Sequence, residues 1–120
     1  MTQEDRLQEV DPQTLKEWLE RGEAILLDVR EEDEHARERI AGARLLPLSR
    51  LDSTAVPQEQ GKTLVLQCRS GNRSAQAGGR IDLRSGAQLY HLAGGIQAWK
   101  RAGLPVQGGA GRPRALCATP

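Results

Sequence analysis

Apolar and polar positions along the chain alternate between strand-like and helix-like segments. Apolar or β-favouring stretches predict strands near residues 7–10, 24–27, 44–46, 63–66 and 88–92, with helices between them near residues 12–21, 31–39, 73–84 and 95–102. The uninterrupted apolar run Ala24–Leu27 suits a strand that is buried on both faces of a parallel sheet. The alternation therefore predicts one α/β domain with a mainly parallel sheet.

Capping and glycine signals mark where the predicted helices begin, end and approach the sheet. Asp11 followed by Pro12 is typical of a helix start, and Gly22 ends the same helix. Gly78 and Gly79 lie inside a helical segment, where each costs about 1 kcal/mol relative to alanine. We expect glycine there because this helix packs close to the sheet. The highly charged segment 31–39 is interpreted as a short helix with a solvated face.

Composition and charge exclude several classes of function. Lys and Arg together number 17 and Asp and Glu 16, so the net charge of +1 offers no general attraction to nucleic acid or to an anionic membrane. Two Trp, one Tyr and no Phe leave few side chains that can stack on bases. The apolar runs reach four residues, far fewer than the ~18 that a membrane-spanning helix needs.

Compartment and cofactors are predicted from the chain start and the cysteines. The acidic, polar start Met1–Asp5 is unlike a signal peptide, so we expect a cytoplasmic protein whose thiols stay reduced. The two cysteines, Cys68 and Cys117, provide neither a disulfide framework nor a zinc-binding spacing, and His35 and His91 complete no zinc motif. We therefore predict no metal and no cofactor.

The segment from Val65 to Ser74 carries the chemistry that the sequence indicates most clearly. A short apolar strand delivers Cys68 to a compact loop, and a helix begins soon after it. Amides of such a loop and of the first helical turn point inward, and the helix dipole adds partial positive charge. A lone cysteine after an apolar strand is commonly a small core residue. With Arg69 and Arg73 nearby, however, a thiol in this loop is expected to ionise readily and act as a nucleophile.

Three separated stretches then form a recognisable pattern: Leu27–Arg30 with Glu34 and Gly42–Ala43, the loop Cys68–Ser74, and Leu92–Trp99 with Gly103–Pro105. In this order and spacing the chain resembles a single-domain rhodanese, with residues 5–106 as the domain and residues 107–120 as a flexible, Gly-rich tail. The resemblance implies a five-stranded, mainly parallel sheet with helices on both faces. It also implies transfer of sulfane sulfur through a cysteine persulfide. The family's common Gly-His-Ile-Pro-Gly-Ala stretch is replaced by residues 38–43, which bears on local packing and not on the loop.

This hypothesis assigns a role to each residue of the loop. The Cys68 thiolate attacks the outer sulfur of an anionic donor, thiosulfate or a low-molecular-weight persulfide, and a thiol or cyanide acceptor then removes that sulfur. Backbone amides from Arg69 to Ser74 stabilise the charge of the persulfide. Arg69 binds the donor at the rim, and Arg73 braces the loop against Asp28. The other residues assigned to the loop or its support are Ser70, Gly71, Asn72, Ser74 and Arg30.

The residues also leave alternatives open. A small cysteine phosphatase or arsenate reductase uses a similar loop, but phosphatases need cysteine-x5-arginine and this loop is cysteine-x4-arginine, a narrower ring that suits one added sulfur atom. A second alternative is a non-catalytic or redox-sensing binding module. A third is a carrier that passes sulfur to an acceptor protein. Cys117 is either an incidental thiol or a relay that the flexible tail brings back towards Cys68.

Overall fold

A five-stranded sheet forms the centre of the computed structural model, which describes residues 7–51, 62–78, 81 and 89–108. The strands are Leu7–Val10 (β1), Ala24–Asp28 (β2), Arg44–Leu45 (β3), Thr63–Gln67 (β4) and Leu89–Leu92 (β5). They are neighbours in the order β1-β5-β4-β2-β3, and every neighbouring pair is parallel. The predicted α/β class is confirmed, and the parallel arrangement explains why the central strands are apolar on both faces.

Within the described residues, three helices lie in connections between these strands, and a fourth follows β5. They are Pro12–Glu20 (α1), Glu32–Arg37 (α2), Asn72–Gly78 (α3) and Gly95–Arg101 (α4), with a 3₁₀ turn at Leu48–Arg50. The predicted cap is present at α1, because the carboxylate of Asp11 accepts hydrogen bonds from the Thr14 amide at 3.3 Å and the Thr14 hydroxyl at 2.6 Å. Gly22 follows α1 at φ +71°, a conformation that favours glycine.

Apolar side chains pack against both faces of the sheet. Alternation along β2 sends Ile25 into one cluster and Leu26 into the other. The first cluster includes Ala77 of α3, whereas the second includes Leu15 of α1 and Trp99 of α4. Helices therefore cover both faces, as the family resemblance implied.

Two details concern the glycines and the predicted tail. A Cβ atom at Gly78 would lie 2.8 Å from Cδ2 of Leu7 on β1, which confirms the close approach of α3 to the sheet at this residue. Gln107, the first residue of the predicted tail, exchanges two backbone hydrogen bonds with Arg39, at 2.7 and 2.6 Å. The predictions for Gly79 and Cys117 lie outside the described residues.

The carboxyl ends of the central strands meet at one edge of the sheet. Asp28 at the end of β2 is in register with Gln67 at the end of β4, so Cys68 follows directly at this edge. On the other side of β4, Leu66 is in register with His91 of β5. The segments after β2, β4 and β5 therefore converge where open α/β sheets bind ligands.

Candidate active site

Cys68 lies at the base of the loop that joins β4 to α3. The residue is 1% exposed, and its sulfur borders the apolar cluster under α3. The amide of Gly71 donates to Sγ at 3.0 Å and the amide of Ser74 at 3.4 Å. The sequence predicts that backbone amides from Arg69 to Ser74 surround the sulfur. Among the described residues, the amides of Gly71 and Ser74 are the ones that donate to it. The buried sulfur therefore accepts hydrogen bonds from the backbone and is not surrounded by apolar groups alone.

The beginning of α4 holds this loop from behind. The carbonyl of Cys68 accepts hydrogen bonds from the Ile96 amide at 2.8 Å and from Nε2 of Gln67 at 2.6 Å. The carbonyl of Arg69 accepts the Gln97 amide at 3.1 Å. The two bonds from α4 fix the first peptide units of the loop, from which the chain continues to the Gly71 and Ser74 amides that donate to the sulfur.

Gly95 makes this contact possible. It has φ +62°, and a Cβ atom there would lie 2.5 Å from the carbonyl oxygen of Arg69 and would also collide with the carbonyl oxygen of Cys68. The tight turn predicted at Gly94–Gly95 is thus the point where α4 meets the loop.

Arg73 braces the loop, but against a different partner from the one predicted. Its guanidinium binds both carboxylate oxygens of Glu34 on α2, at 2.7 and 2.8 Å, and the expected pairing with Asp28 is wrong. The hydrogen bonds from Arg73 lower the pKa of Glu34 from 4.5 to about 2, and Glu34 in turn raises the pKa of Arg73. The pair joins α2 to α3 across the mouth of the loop.

Asp28 cannot serve Arg73 because other groups already surround its carboxylate. Asp28 is 0% exposed and accepts hydrogen bonds from Nε and Nη2 of Arg30, at 3.0 and 2.7 Å. Nδ1 of His35 lies 2.9 Å from Oδ2, the same oxygen that accepts Nη2 of Arg30. Arg30 also donates to the carbonyl of Glu38 at 2.6 Å, so this network fixes both ends of α2 beside β2.

The helix α2 is therefore more than the solvated element predicted for residues 31–39. Its outer residues Glu32 and Asp33 are exposed and pair with arginines at the surface. Its inner residues Glu34 and His35 are partly buried against Arg73 and Asp28. The high charge of the segment concealed this second face, because a run of charged residues shows no apolar stripe.

The rim of the loop is polar and open. Arg69, Ser70 and Asn72 are exposed. Arg69 forms no ion pair with the described residues and borders a cleft of about 310 Å³. The other charged side chains around the cleft are Arg30, Arg37, Lys100, Glu34 and Glu38. Basic side chains outnumber acidic ones around the cleft, which favours the binding of an anionic ligand.

Ser74 and His91 form a second layer beneath the sulfur. Oγ of Ser74 lies 3.7 Å from Sγ of Cys68 and 2.8 Å from Nδ1 of His91. Ser74 is fully buried, and His91 is 8% exposed. Burial lowers the pKa of His91 below 6.5, while the charge of Glu9 acts in the opposite direction.

The described residues contain no group of three or more His, Cys, Asp or Glu side chains that could hold a metal ion. None of the helices described is long and apolar enough to cross a bilayer.

Comparison with known proteins identifies the family. The profile of the rhodanese-like domain matches residues 11–102. This chain belongs to the rhodanese-like family. It is 45% identical over 97 residues to an uncharacterized protein of Synechocystis sp., covering 81% of this chain and 54% of that protein. It is 34% identical over 99 residues to a protein named sulfurtransferase from Allochromatium vinosum, covering 82% of this chain and 92% of that protein.

A solved structure shows the same relationship. The crystal structure of thiosulfate sulfurtransferase from Pseudomonas aeruginosa matches this rhodanese-like chain with a TM-score of 0.74 and 30% identity. The match covers 94% of this chain and 21% of that one. The chain thus spans about half the length of the Synechocystis relative and a smaller part of the Pseudomonas enzyme.

Sequence reasoning missed three residues of this rhodanese-like site. Glu34 appeared only as part of the family pattern, and His35 and His91 were considered only as metal ligands. All three follow or end a strand whose carboxyl end meets the loop, so their position in the predicted topology was the signal available. The sequence did not reveal the partners of these residues. Arg73, Asp28 and Ser74 come close to them only once α2 and α3 have packed against the sheet.

Gly95→Ala tests how α4 positions the loop. The left-handed conformation and the collision with the loop carbonyls are expected to cost about 3–5 kcal/mol of stability and to displace the amides around Cys68. Because these amides surround Sγ, the rate at which iodoacetamide alkylates Cys68 should differ from the rate in the wild-type protein. Gly22→Ala is the matched control, since φ is +71° there and nothing lies within 4 Å of the added methyl group. It should cost about 1–2 kcal/mol without affecting alkylation. Equal effects of the two substitutions would contradict the contact.

Glu34→Gln tests the brace between α2 and α3. At neutral pH it should lower the free energy of unfolding by about 1–3 kcal/mol, because Arg73 loses a charged partner. Since the folded-state pKa of Glu34 is depressed to about 2, the pair stabilises the native state above pH 4.5 and its contribution disappears between 4.5 and about 2. Urea unfolding of both proteins should show a difference that shrinks through this window.

The control for this brace is Glu32→Gln, which removes an exposed partner of Arg50 at 2.9 Å. It should change stability by less than about 0.5 kcal/mol. A Glu34→Gln difference that stays constant as the carboxylate becomes protonated would show that the ion pair is not its source.

Proposed function

We propose that this chain is a sulfurtransferase that moves sulfane sulfur from thiosulfate or a low-molecular-weight persulfide to a thiol or cyanide acceptor, through a persulfide on Cys68. The observation that carries the proposal is the pair of amide hydrogen bonds from Gly71 and Ser74 to Sγ. Inward amides stabilise negative charge on sulfur, which both the thiolate and its persulfide carry. The names of the Allochromatium and Pseudomonas relatives support the same reaction class.

The first half-reaction loads the cysteine. The Cys68 thiolate attacks the outer sulfur of thiosulfate, a new S–S bond forms, and the S–S bond of the donor breaks. Sulfite leaves with the electron pair of the broken bond, and the negative charge moves to the terminal sulfur of the persulfide. The reacting form is the thiolate, so this step moves no proton and needs no general base.

The second half-reaction returns the enzyme to its thiolate. A thiolate or cyanide acceptor attacks the terminal sulfur, and the persulfide S–S bond breaks with its electron pair going back to Sγ. The amides of Gly71 and Ser74 receive that charge again. The same donors therefore serve both halves of the cycle without reorganising. An acceptor thiol on a partner protein fits this chemistry equally well.

The cleft at the rim supports an anionic donor. Arg30 is committed to Asp28 and Lys100 to Glu38, at 2.7 Å in each case. Arg69 is exposed, forms no ion pair with the described residues, and follows the nucleophile in sequence. It is therefore the cation that we assign to attracting the donor.

Arg73 argues against phosphate ester hydrolysis. Arginine recognises a phosphate through two parallel N–H···O bonds. Nη1 and Nη2 of Arg73 instead donate to the two carboxylate oxygens of Glu34, at 2.7 and 2.8 Å. The guanidinium is thus a structural brace, and the six-residue span from Cys68 to Arg73 is short for a tetrahedral anion.

Cys68→Ser tests the nucleophile. Thiosulfate:cyanide sulfurtransferase activity should fall by more than about a thousandfold, because the serine hydroxyl forms no persulfide. Mass spectrometry after thiosulfate loading should find one added sulfur on Cys68 of the wild-type protein. Cys117→Ser separates the two thiols, since the adduct must remain on Cys68 in that variant. Activity that survives Cys68→Ser would overturn the assignment.

Arg69→Ala tests donor attraction. The KM for thiosulfate should rise about fivefold at low ionic strength with little change in kcat, because an exposed charge is worth about 1 kcal/mol to an anion. The effect should shrink as salt is added. Arg21→Ala removes an exposed arginine after α1, distant in sequence from the loop, and should leave KM unchanged. Equal changes in the two variants would assign the effect to net charge alone.

A further inference from the structure

His91 is a buried titratable side chain that the proposed reaction leaves unused. It lies near the end of β5, and its Nδ1 is 2.8 Å from Oγ of Ser74. That same Oγ lies 3.7 Å from the sulfur of Cys68. Ser74 therefore connects the imidazole to the nucleophile.

The hydroxyl of Ser74 has one hydrogen and three neighbours that can receive it. They are the carbonyl of Gly71 at 3.1 Å, Nδ1 of His91 at 2.8 Å and, once the thiol has lost its own proton, Sγ of Cys68 at 3.7 Å. The Gly71 carbonyl also accepts the Ala75 amide at 3.1 Å, and its two lone pairs allow it to accept both donors. The carbonyl, the imidazole and the sulfur therefore compete for the serine hydrogen.

The proton on Nδ1 decides this competition. An unprotonated Nδ1 accepts the serine hydrogen, and the sulfur then faces an oxygen lone pair. A protonated Nδ1 donates to Oγ, which leaves the serine hydrogen available for the sulfur. The Ser74 hydroxyl adds to the stabilisation of an anionic sulfur only in the second arrangement.

We propose that His91 is a positioning residue whose Nδ1–H donates to Ser74 Oγ and so directs the serine hydroxyl towards the sulfur of Cys68. The inference rests on the proposed sulfur transfer, because its benefit is a further hydrogen bond to the thiolate and the persulfide. His91 touches no reacting atom and acts through Ser74.

The surroundings of the imidazole set its protonation. Glu9 from β1 faces the ring, and its exposed Oε2 lies 3.7 Å from Nε2. This contact favours a proton on Nε2 and competes with the shorter, 2.8 Å contact between Nδ1 and Ser74. The thiol of Cys68 faces the ring through Ser74 from the loop after β4. Burial lowers the pKa of His91 from 6.5, so the ring is neutral at neutral pH and the position of its single proton matters. Acidification adds a proton to the other nitrogen and keeps the Nδ1 donor.

Nitrogen-15 NMR of the imidazole tests the inference directly in the wild-type protein. We expect the proton on Nδ1, both in the reduced protein and in the thiosulfate-loaded protein. A proton on Nε2 alone would overturn the inference. Mass spectrometry of the loaded sample is independent, because a missing adduct on Cys68 counts against the proposed function while the reduced protein still decides the tautomer.

A double-mutant cycle tests the route through Ser74. His91→Phe should slow persulfide formation roughly tenfold in the wild-type background, the size expected for losing a hydrogen bond of this kind. It should cause no further loss in a Ser74→Ala background. His91→Asn should retain most of the rate, since its amide N–H can donate to Oγ. All comparisons are made at temperatures where thermal unfolding shows each variant folded.

The control histidine is His35, which binds Asp28 at 2.9 Å on the other side of the site. The effect of His35→Asn, whatever its size, should be the same with and without Ser74→Ala. Equal losses for His91→Phe in both backgrounds would make His91 a packing residue. An unchanged or faster rate for His91→Phe in the wild-type background would show that Nδ1 takes the serine hydrogen. Either result would overturn the inference.

Discussion

The hydrogen bonds from the start of α4 to the loop carbonyls are the constraint on which the site depends. A peptide unit has its N–H and C=O on opposite sides, so a carbonyl that is held outward leaves neighbouring amides able to face inward. The amides of Ile96 and Gln97 hold the carbonyls of Cys68 and Arg69 at 2.8 and 3.1 Å. Helix docking thus fixes the first two peptide units of the loop, and the Gly71 and Ser74 amides that donate to the sulfur lie in the units that follow.

Two further contacts keep the loop from moving relative to the sheet. The Glu34–Arg73 pair connects α2 with the first turn of α3. Arg30, which is paired with Asp28 of β2, binds the Glu38 carbonyl at the end of α2. The elements that follow β2, β4 and β5 are therefore coupled around one sulfur atom. Apolar packing beneath α3 supports the loop from below, since Cys68 itself belongs to that cluster.

The sequence predicts the strands, the helix starts and the loop, because each depends on local signals. Asp11, Pro12 and Gly22 act within one turn, and the apolar runs identify the buried strands. The partner of Arg73 escaped prediction because it depends on how α2 returns over the sheet. The Asp28 carboxylate lies on the neighbouring strand, yet Arg30 and His35 enclose it. Such competition among charged groups is decided by three-dimensional placement and not by residue spacing.

The charged side chains that anchor the Cys68 loop balance one another. Asp28 is matched by Arg30 and Glu34 by Arg73, so these side chains leave no surplus cation for the sulfur. In the proposed reaction the negative charge on sulfur is compensated by peptide dipoles, which every residue type except proline supplies. A change of side chain at the rim would then alter which sulfur donor the proposed reaction accepts, while the backbone would still stabilise the charge.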